Sequence, residues 1–121
     1  MNKEKKVVLL VDDSLVVLER MISMLEGAEN IEFVVHAGTC KEALAILDDL
    51  RPDYILLDIH LPDDNGMNLL KFVREKYKQM LVFMMTNQAT PQYREACRML
   101  GASRFFDKSL DFDLIPAALS A

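Results

Sequence analysis

Tyr54-Ile55-Leu56-Leu57-Asp58-Ile59-His60-Leu61-Pro62 is the stretch on which the reading of this chain turns. Four apolar residues run into a single carboxylate, and a proline soon prevents the strand from continuing. A short continuous apolar run of this kind fits a strand buried on both faces, which delivers a charge to one edge of a sheet. Ionised carboxylates are rarely buried without partners, so Asp58 calls for cations and hydrogen-bond donors from elsewhere in the chain.

The residues on either side repeat the pattern. Upstream, Val7-Val8-Leu9-Leu10-Val11 is a second continuous apolar run and ends at Asp12-Asp13. Ser14 suits a helix N-cap, Leu15, Leu18, Ile22 and Leu25 trace one helical face, and Gly27 suits the C′ position. Ile31 to Ala37 is a more polar strand, as an edge position would allow. Thr39 and Glu42 have capping-box spacing and open a second helix, with Ala43, Leu44, Leu47 and Leu50 as its inner face. Downstream, Asp63-Asp64-Asn65-Gly66 reads as a polar turn before a third helix lined by Leu69, Leu70, Val73 and Tyr77. Residues 80–85 form a fourth strand ending at Thr86-Asn87-Gln88, and Thr90-Pro91 caps and opens a fourth helix that Gly101 closes. Residues 103–107 are a fifth strand with Lys108 at its end. Residues 112–119 are a short last helix in which Pro116 must fall in the first turn. Five strand–helix repeats specify an α/β fold, a parallel sheet with helices on both faces. In such sheets sites form beyond the carboxyl ends of the strands.

The chain has 121 residues, a length suited to one compact domain. Apolar residues make up 51%, which excludes a disordered chain. The net charge of −5 argues against binding nucleic acid or a membrane surface through bulk charge. Met1-Asn2-Lys3-Glu4-Lys5-Lys6 is a polar leader, and the apolar run behind it is too short for a signal sequence or a spanning helix. Cys40 and Cys97 form no metal-ligand pattern and read as reduced, partly buried thiols of a cytoplasmic protein. Most of the eight methionines fall at core positions.

The residues at the strand ends carry the chemistry. Asp12 and Asp13 come from the first strand, Asp58 from the third, Thr86 from the fourth and Lys108 from the fifth. Each alone has an ordinary reading as a turn, a cap or a solvated lysine; together they can converge on one cleft. Three carboxylates against one ammonium suit a hard divalent cation, best Mg²⁺. A cleft holding Mg²⁺, a lysine and a hydroxyl can stabilise a phosphoryl group in transfer. Asp58, opposite Lys108, is placed to be the nucleophile and to form an acyl phosphate.

Val-Asp-Asp-Ser, Leu-Leu-Asp58-Ile-His-Leu-Pro62-Asp-Asp-Asn-Gly66, Met-Met-Thr86-Asn and Phe-Asp-Lys108 together resemble the receiver domain of two-component response regulators. The resemblance covers essentially all of residues 1–121 and implies a doubly wound (βα)5 domain with strand order 2-1-3-4-5. It implies that Asp58 is the phosphoacceptor. Asp13 would hold Mg²⁺ directly, Asp12 mostly through water, and the backbone carbonyl of His60 would be a further ligand. Thr86 and Lys108 would bind phosphoryl oxygens. Phe105 would turn inward as Thr86 moves, altering the face made by the fourth helix, fifth strand and fifth helix. The donor would be the phosphohistidine of a sensor histidine kinase or a histidine phosphotransfer protein. His60 and Gln88, each two residues beyond a site residue, are candidates for setting how water reaches the acyl phosphate.

Two departures stand out. Ser109 occupies the place where the family usually has proline after the lysine, so the loop there is expected to differ in shape or mobility. Phe105 lacks the hydroxyl of the tyrosine often found at the switch position.

Other functions fit less well. A haloacid-dehalogenase-type phosphatase would want an aspartate where His60 stands and a larger domain with a cap. A flavin module would need a phosphate-cradling loop where Asp12-Asp13 would repel the phosphate. A degenerate receiver that only docks is not favoured, since all five site residues are present. With no output segment after the fifth helix, the sequence reads either as a stand-alone receiver acting on an output protein or as part of a longer regulator with a C-terminal output domain.

Overall fold

The computed structural model describes residues 5–120; Met1-Asn2-Lys3-Glu4 of the polar leader and Ala121 lie outside the described residues. Its elements are β1 (Lys6–Val11), α1 (Leu15–Leu25), β2 (Ile31–Ala37), α2 (Cys40–Asp49), β3 (Tyr54–Asp58), α3 (Gly66–Lys76), β4 (Leu81–Thr86), α4 (Pro91–Met99), β5 (Arg104–Asp107) and α5 (Ile115–Ser120). A 3-10 turn, Phe112–Leu114, leads into α5. The strands form one parallel sheet in the order β2-β1-β3-β4-β5. β2 lies at an edge, as its polar residues require, and β3 lies at the centre.

The period-two alternation of the strands fills both faces of the sheet. Leu9, Val11, Ile55, Leu57, Val82 and Met84 point to one side and pack with residues of α2, α3 and α4. Val8, Leu10, Leu56, Phe83, Met85 and Phe106 point to the other and pack with residues of α1 and α5. Every residue of β3 is buried, Asp58 included. Burying its four apolar side chains contributes roughly 6–12 kcal/mol at about 1.5–3 each. That is enough to offset the several kcal/mol that desolvating one carboxylate costs, so the strand can hold Asp58 at its buried end.

The caps form as the sequence suggests. Ser14, Thr39 and Thr90 each accept a hydrogen bond from a backbone N–H of the first turn of α1, α2 and α4. Gly27 and Gly101 take positive φ at helix ends, where a β-carbon would be strained. Pro116 is the second residue of α5, where its missing N–H costs nothing.

Some expectations are corrected. Leu15 is 71% exposed, and the inner face of α1 is Leu18, Met21 and Leu25, with Ile22 packed against the same cluster. In α2, Leu44 is on the exposed side and Cys40 joins Ala43 and Leu47 inside. Gly66 is the first residue of α3, capped by Asn65, and not part of the turn. The last helix is split, with a 3-10 turn preceding α5. Cys40 and Cys97 are buried free thiols. Among the described residues no helix is long and apolar enough to cross a membrane.

Candidate functional site

The parallel register sets Asp12, Asp58, Thr86 and Lys108 at one edge of the sheet. Val11 pairs with Leu57, Asp58 with Met85 and Thr86 with Asp107, so the next residue of each chain segment leaves the sheet on the same side. The Lys108 N–H donates to the Thr86 carbonyl (2.9 Å) and extends the β4–β5 pairing by one step. Asp12, Asp58, Thr86 and Lys108 are the buried polar or charged residues among those described. Asp13 is exposed at the rim. The core is otherwise apolar, and its polar side chains are gathered here.

Lys108 reaches back over the sheet edge. Its ammonium is 3.1 Å from Asp58 Oδ2 and is also ion-paired with Asp12 Oδ2. Asp12 Oδ1 accepts a hydrogen bond from the Ser14 N–H (2.9 Å), and Asp58 Oδ1 accepts one from the His60 N–H (3.3 Å). Burial, the largest influence, raises the Asp58 carboxyl above its ordinary value, and Asp12 adds to the rise. The Lys108 charge and the two hydrogen bonds to Asp58 oppose it without reversing the direction. One ammonium is thus insufficient for the carboxylates around it.

The donor set fits a hard divalent cation. Asp12, Asp13 and Asp58 offer carboxylate oxygens within 4.8 Å of one another. Asp12 Oδ2 meets one cation, the Lys108 ammonium, and shares it with Asp58. Two buried carboxylates on one ammonium, with Asp13 at the rim, leave negative charge uncompensated. Oxygen donors carrying excess negative charge are the ligands Mg²⁺ takes.

The remaining sequence candidates surround this centre. The Thr86 hydroxyl oxygen accepts the Gln88 N–H (3.0 Å), which leaves its proton free to donate, while the Gln88 residue itself is exposed. The exposed His60 ring lies edge-on to Tyr93 of α4, with centroids 5.6 Å apart. Phe105 is half-buried against the core, and the Arg94 guanidinium lies 4.8 Å from its ring centroid.

Three features were not drawn from the sequence. Asp63 accepts hydrogen bonds from Cys40 N–H (2.9 Å) and Lys41 N–H (3.0 Å), and so caps α2 from the β3–α3 loop. Gly66 is held close to Asp58, since an added β-carbon would lie 3.0 Å from the Asp58 carbonyl carbon and 3.1 Å from Ile59 Cα. Its position after a run of loop residues was the one available signal. In the loop after β5, Asp107 Oδ1 accepts the N–H of Ser109 (2.8 Å) and Leu110 (3.3 Å), and Asp111 Oδ2 accepts the N–H of Asp107 (2.9 Å). A proline at 109 would have no N–H to give, so Ser109 here adds a tie to the loop.

The central parallel sheet, the buried acidic cleft and the bridging lysine at its carboxyl edge agree with the resemblance to a receiver domain. Residues 8–120 match the family Response regulator receiver domain, and the chain belongs to that family. Its relatives include the transcriptional regulatory protein YdfI of Bacillus subtilis, 34% identical over 71% of this chain and 38% of the relative. A protein-glutamate methylesterase/protein-glutamine glutaminase of Clostridium acetobutylicum is 36% identical over 87% of this chain and 31% of its own length. The chain therefore spans less than two-fifths of either of these relatives. Among solved structures, the receiver domain of the Francisella response regulator 1452 superposes with a TM-score of 0.86 at 21% identity, covering 96% of this chain and 94% of that one. The signal receiver domain of a putative Luxo repressor protein from Vibrio parahaemolyticus gives 0.87 at 22% identity, covering 96% and 88%. These two likenesses show the fold.

Proposed function

We propose that Asp58 is the phosphoacceptor of a two-component phosphorelay and that residues 1–121 act as one receiver domain. The observation that carries this is the buried contact of Lys108 with Asp58 at the carboxyl edge of the sheet, amid the described chain's other buried polar side chains. An Asp58 oxygen attacks the phosphorus of a phosphohistidine. The new O–P bond forms as the N–P bond breaks, and the released imidazole takes up a proton. Lys108 and the Thr86 hydroxyl bind the phosphoryl oxygens, the first by charge and the second by the proton it has free.

Asp12, Asp13 and Asp58, with the backbone carbonyl of His60, would hold Mg²⁺. Bound there, the ion supplies a hard Lewis acid that neutralises charge developing on the transferring group. His60, whose ring meets Tyr93 edge-on, and Gln88 set the access of water to the acyl phosphate. Transfer changes the site by about one negative charge. Thr86 and Phe105 carry that change to the face formed by α4, β5 and α5.

The donor is a sensor histidine kinase or a histidine phosphotransfer protein. Leu15, Val16 and Leu110, soon after Asp13 and Lys108 in sequence, are 71%, 74% and 82% exposed and offer apolar surface to such a donor. The output is an output protein or a C-terminal output domain. The domain works as a cytoplasmic switch, without direct nucleic-acid contact, rather than as an enzyme on a free substrate.

Intact-mass measurement after incubation with acetyl phosphate, with and without Mg²⁺, tests the proposal. A single Mg²⁺-dependent phosphoryl adduct, absent from Asp58→Asn, is expected. No adduct under any phosphodonor would reduce the chain to a docking domain.

A further inference from the structure

Between α4 and β5 the surface opens into a groove of about 190 Å³ lined by Arg94, Arg98, Ala102, Ser103, Arg104 and Phe105. Ala102 and Phe105 are half-buried and pack on the core, so they form an apolar floor. The arginines stand exposed around it. Three of the chain's six arginines meet here, in a protein whose net charge is −5.

No carboxylate lines this groove, and the nearest ones satisfy it only in part. Glu95 holds Arg98 through two hydrogen bonds (2.9 and 2.7 Å), yet the Arg98 side chain remains 70% exposed. Arg94 is 3.9 Å from Asp111 and 48% exposed. Arg104 has no carboxylate partner among the described residues and lies 5.9 Å from the Phe106 ring centroid. Guanidinium groups bind carboxylates through paired hydrogen bonds, and such a fork gives both affinity and direction.

We propose that this groove receives an acidic segment of a partner protein, with carboxylates on Arg94, Arg98 and Arg104 and one apolar side chain on Phe105 and Ala102. The proposal rests on the reading of α4, β5 and α5 as the face that phosphorylation alters, and it names the chemistry of what that face takes. A protein segment is favoured over nucleic acid because the groove is short and apolar-floored and the rest of the chain is acidic. A phosphate backbone would be repelled beyond it.

The test titrates the ¹⁵N-labelled chain, unmodified and phosphorylated, with a synthetic peptide of glutamates around a central leucine–phenylalanine pair. Saturable amide shifts at the groove residues in either form are expected, with affinity about tenfold weaker in the Arg98→Gln, Arg104→Gln double variant. A lysine-for-glutamate peptide should not bind. Arg51, Lys76 and Lys78 line, together with Asp53, a second pocket of net positive charge, which serves as the internal control. Equal shifts there, no binding in both forms, or equal competition by a short DNA duplex would overturn the proposal. Phosphorylation and peptide binding are read separately. A chain that binds peptide but takes no phosphoryl group refutes the Asp58 reading alone, and a chain that is phosphorylated but binds no peptide in either form refutes the groove alone.

Discussion

Replacing Gly66 by alanine places a methyl group against the backbone of the residue that carries the chemistry. The added carbon would lie inside the van der Waals shell of the Asp58 carbonyl oxygen, 3.0 Å from the carbonyl carbon and 3.1 Å from Ile59 Cα. These are backbone atoms of the central strand and the residue after it, so no flexible side chain can yield. The first turn of α3 must retreat, and the Gly66 N–H to Ile59 carbonyl hydrogen bond (2.6 Å) must lengthen or break. Overpacking costs about 1–3 kcal/mol, and the hydrogen bond adds about 0.5–1.5. The higher helix propensity of alanine returns at most about 1 kcal/mol. A net loss of about 2 kcal/mol is expected, read as a lowered midpoint of urea unfolding at unchanged slope. Gly27→Ala is the control: its β-carbon meets nothing within 4 Å, and only its φ of +80° is strained, so about 1 kcal/mol is expected. Equal stability of Gly66→Ala and the parent chain would refute the claim that a tight approach of α3 to β3 holds Asp58 in place.

Removing the lysine should expose the repulsion it offsets. Lys108→Ala leaves Asp12 and Asp58 without their shared cation, and breaking a buried pair in this way costs about 3 kcal/mol at neutral pH. Without Lys108 the Asp58 carboxyl stands still further above its unfolded value. The Asp58 contribution in the variant is then fullest below the unfolded value and falls as pH rises through the folded one, so the gap in urea midpoint between parent and variant should widen with pH over that range; a constant gap contradicts it. Burial pushes both thiols up to about 11, so iodoacetamide at neutral pH should leave Cys40 and Cys97 unmodified in the folded chain and label both in urea. Hydrogen bonds from Cys40 and Lys41 hold the Asp63 carboxyl below its usual value. Its contribution is present above the unfolded carboxylate value and is lost as pH falls through the folded one. Asp63→Ala should therefore lower the thermal midpoint at neutral pH and flatten the acid limb; an unchanged melting curve at both ends of that range would contradict the cap.

What the sequence disclosed was whatever depends on short-range pattern. Apolar runs ending in Asp12, Asp58, Thr86 and Lys108 mark both the strands and the site, because a parallel sheet aligns strand ends that are far apart in sequence. Ser14, Thr39 and Thr90 were readable as caps because a cap acts within one turn. Leu15 shares the helical spacing of Leu18, Ile22 and Leu25 yet is exposed, because spacing gives the direction of a face and not what packs against each residue on it. The cap on α2 by Asp63 and the approach of Gly66 to Asp58 join segments that meet only after folding. The same holds for Arg94 over Phe105 and for Tyr93 beside His60. Ser109 in place of proline signals a loop that differs in shape or mobility, and its use of the freed N–H becomes visible only with Asp107 placed opposite.

The most direct measurement is chemical mapping of the phosphoryl group. The chain is phosphorylated with acetyl phosphate and Mg²⁺, reduced with borohydride, digested and sequenced by mass spectrometry. Borohydride converts an aspartyl phosphate to homoserine and leaves free carboxylates alone. Homoserine at position 58, with aspartate retained at positions 12 and 13, is the predicted result. Homoserine at either of those positions with aspartate at 58, or no conversion in a chain that carries the adduct, would contradict the assignment of Asp58 as the phosphoacceptor.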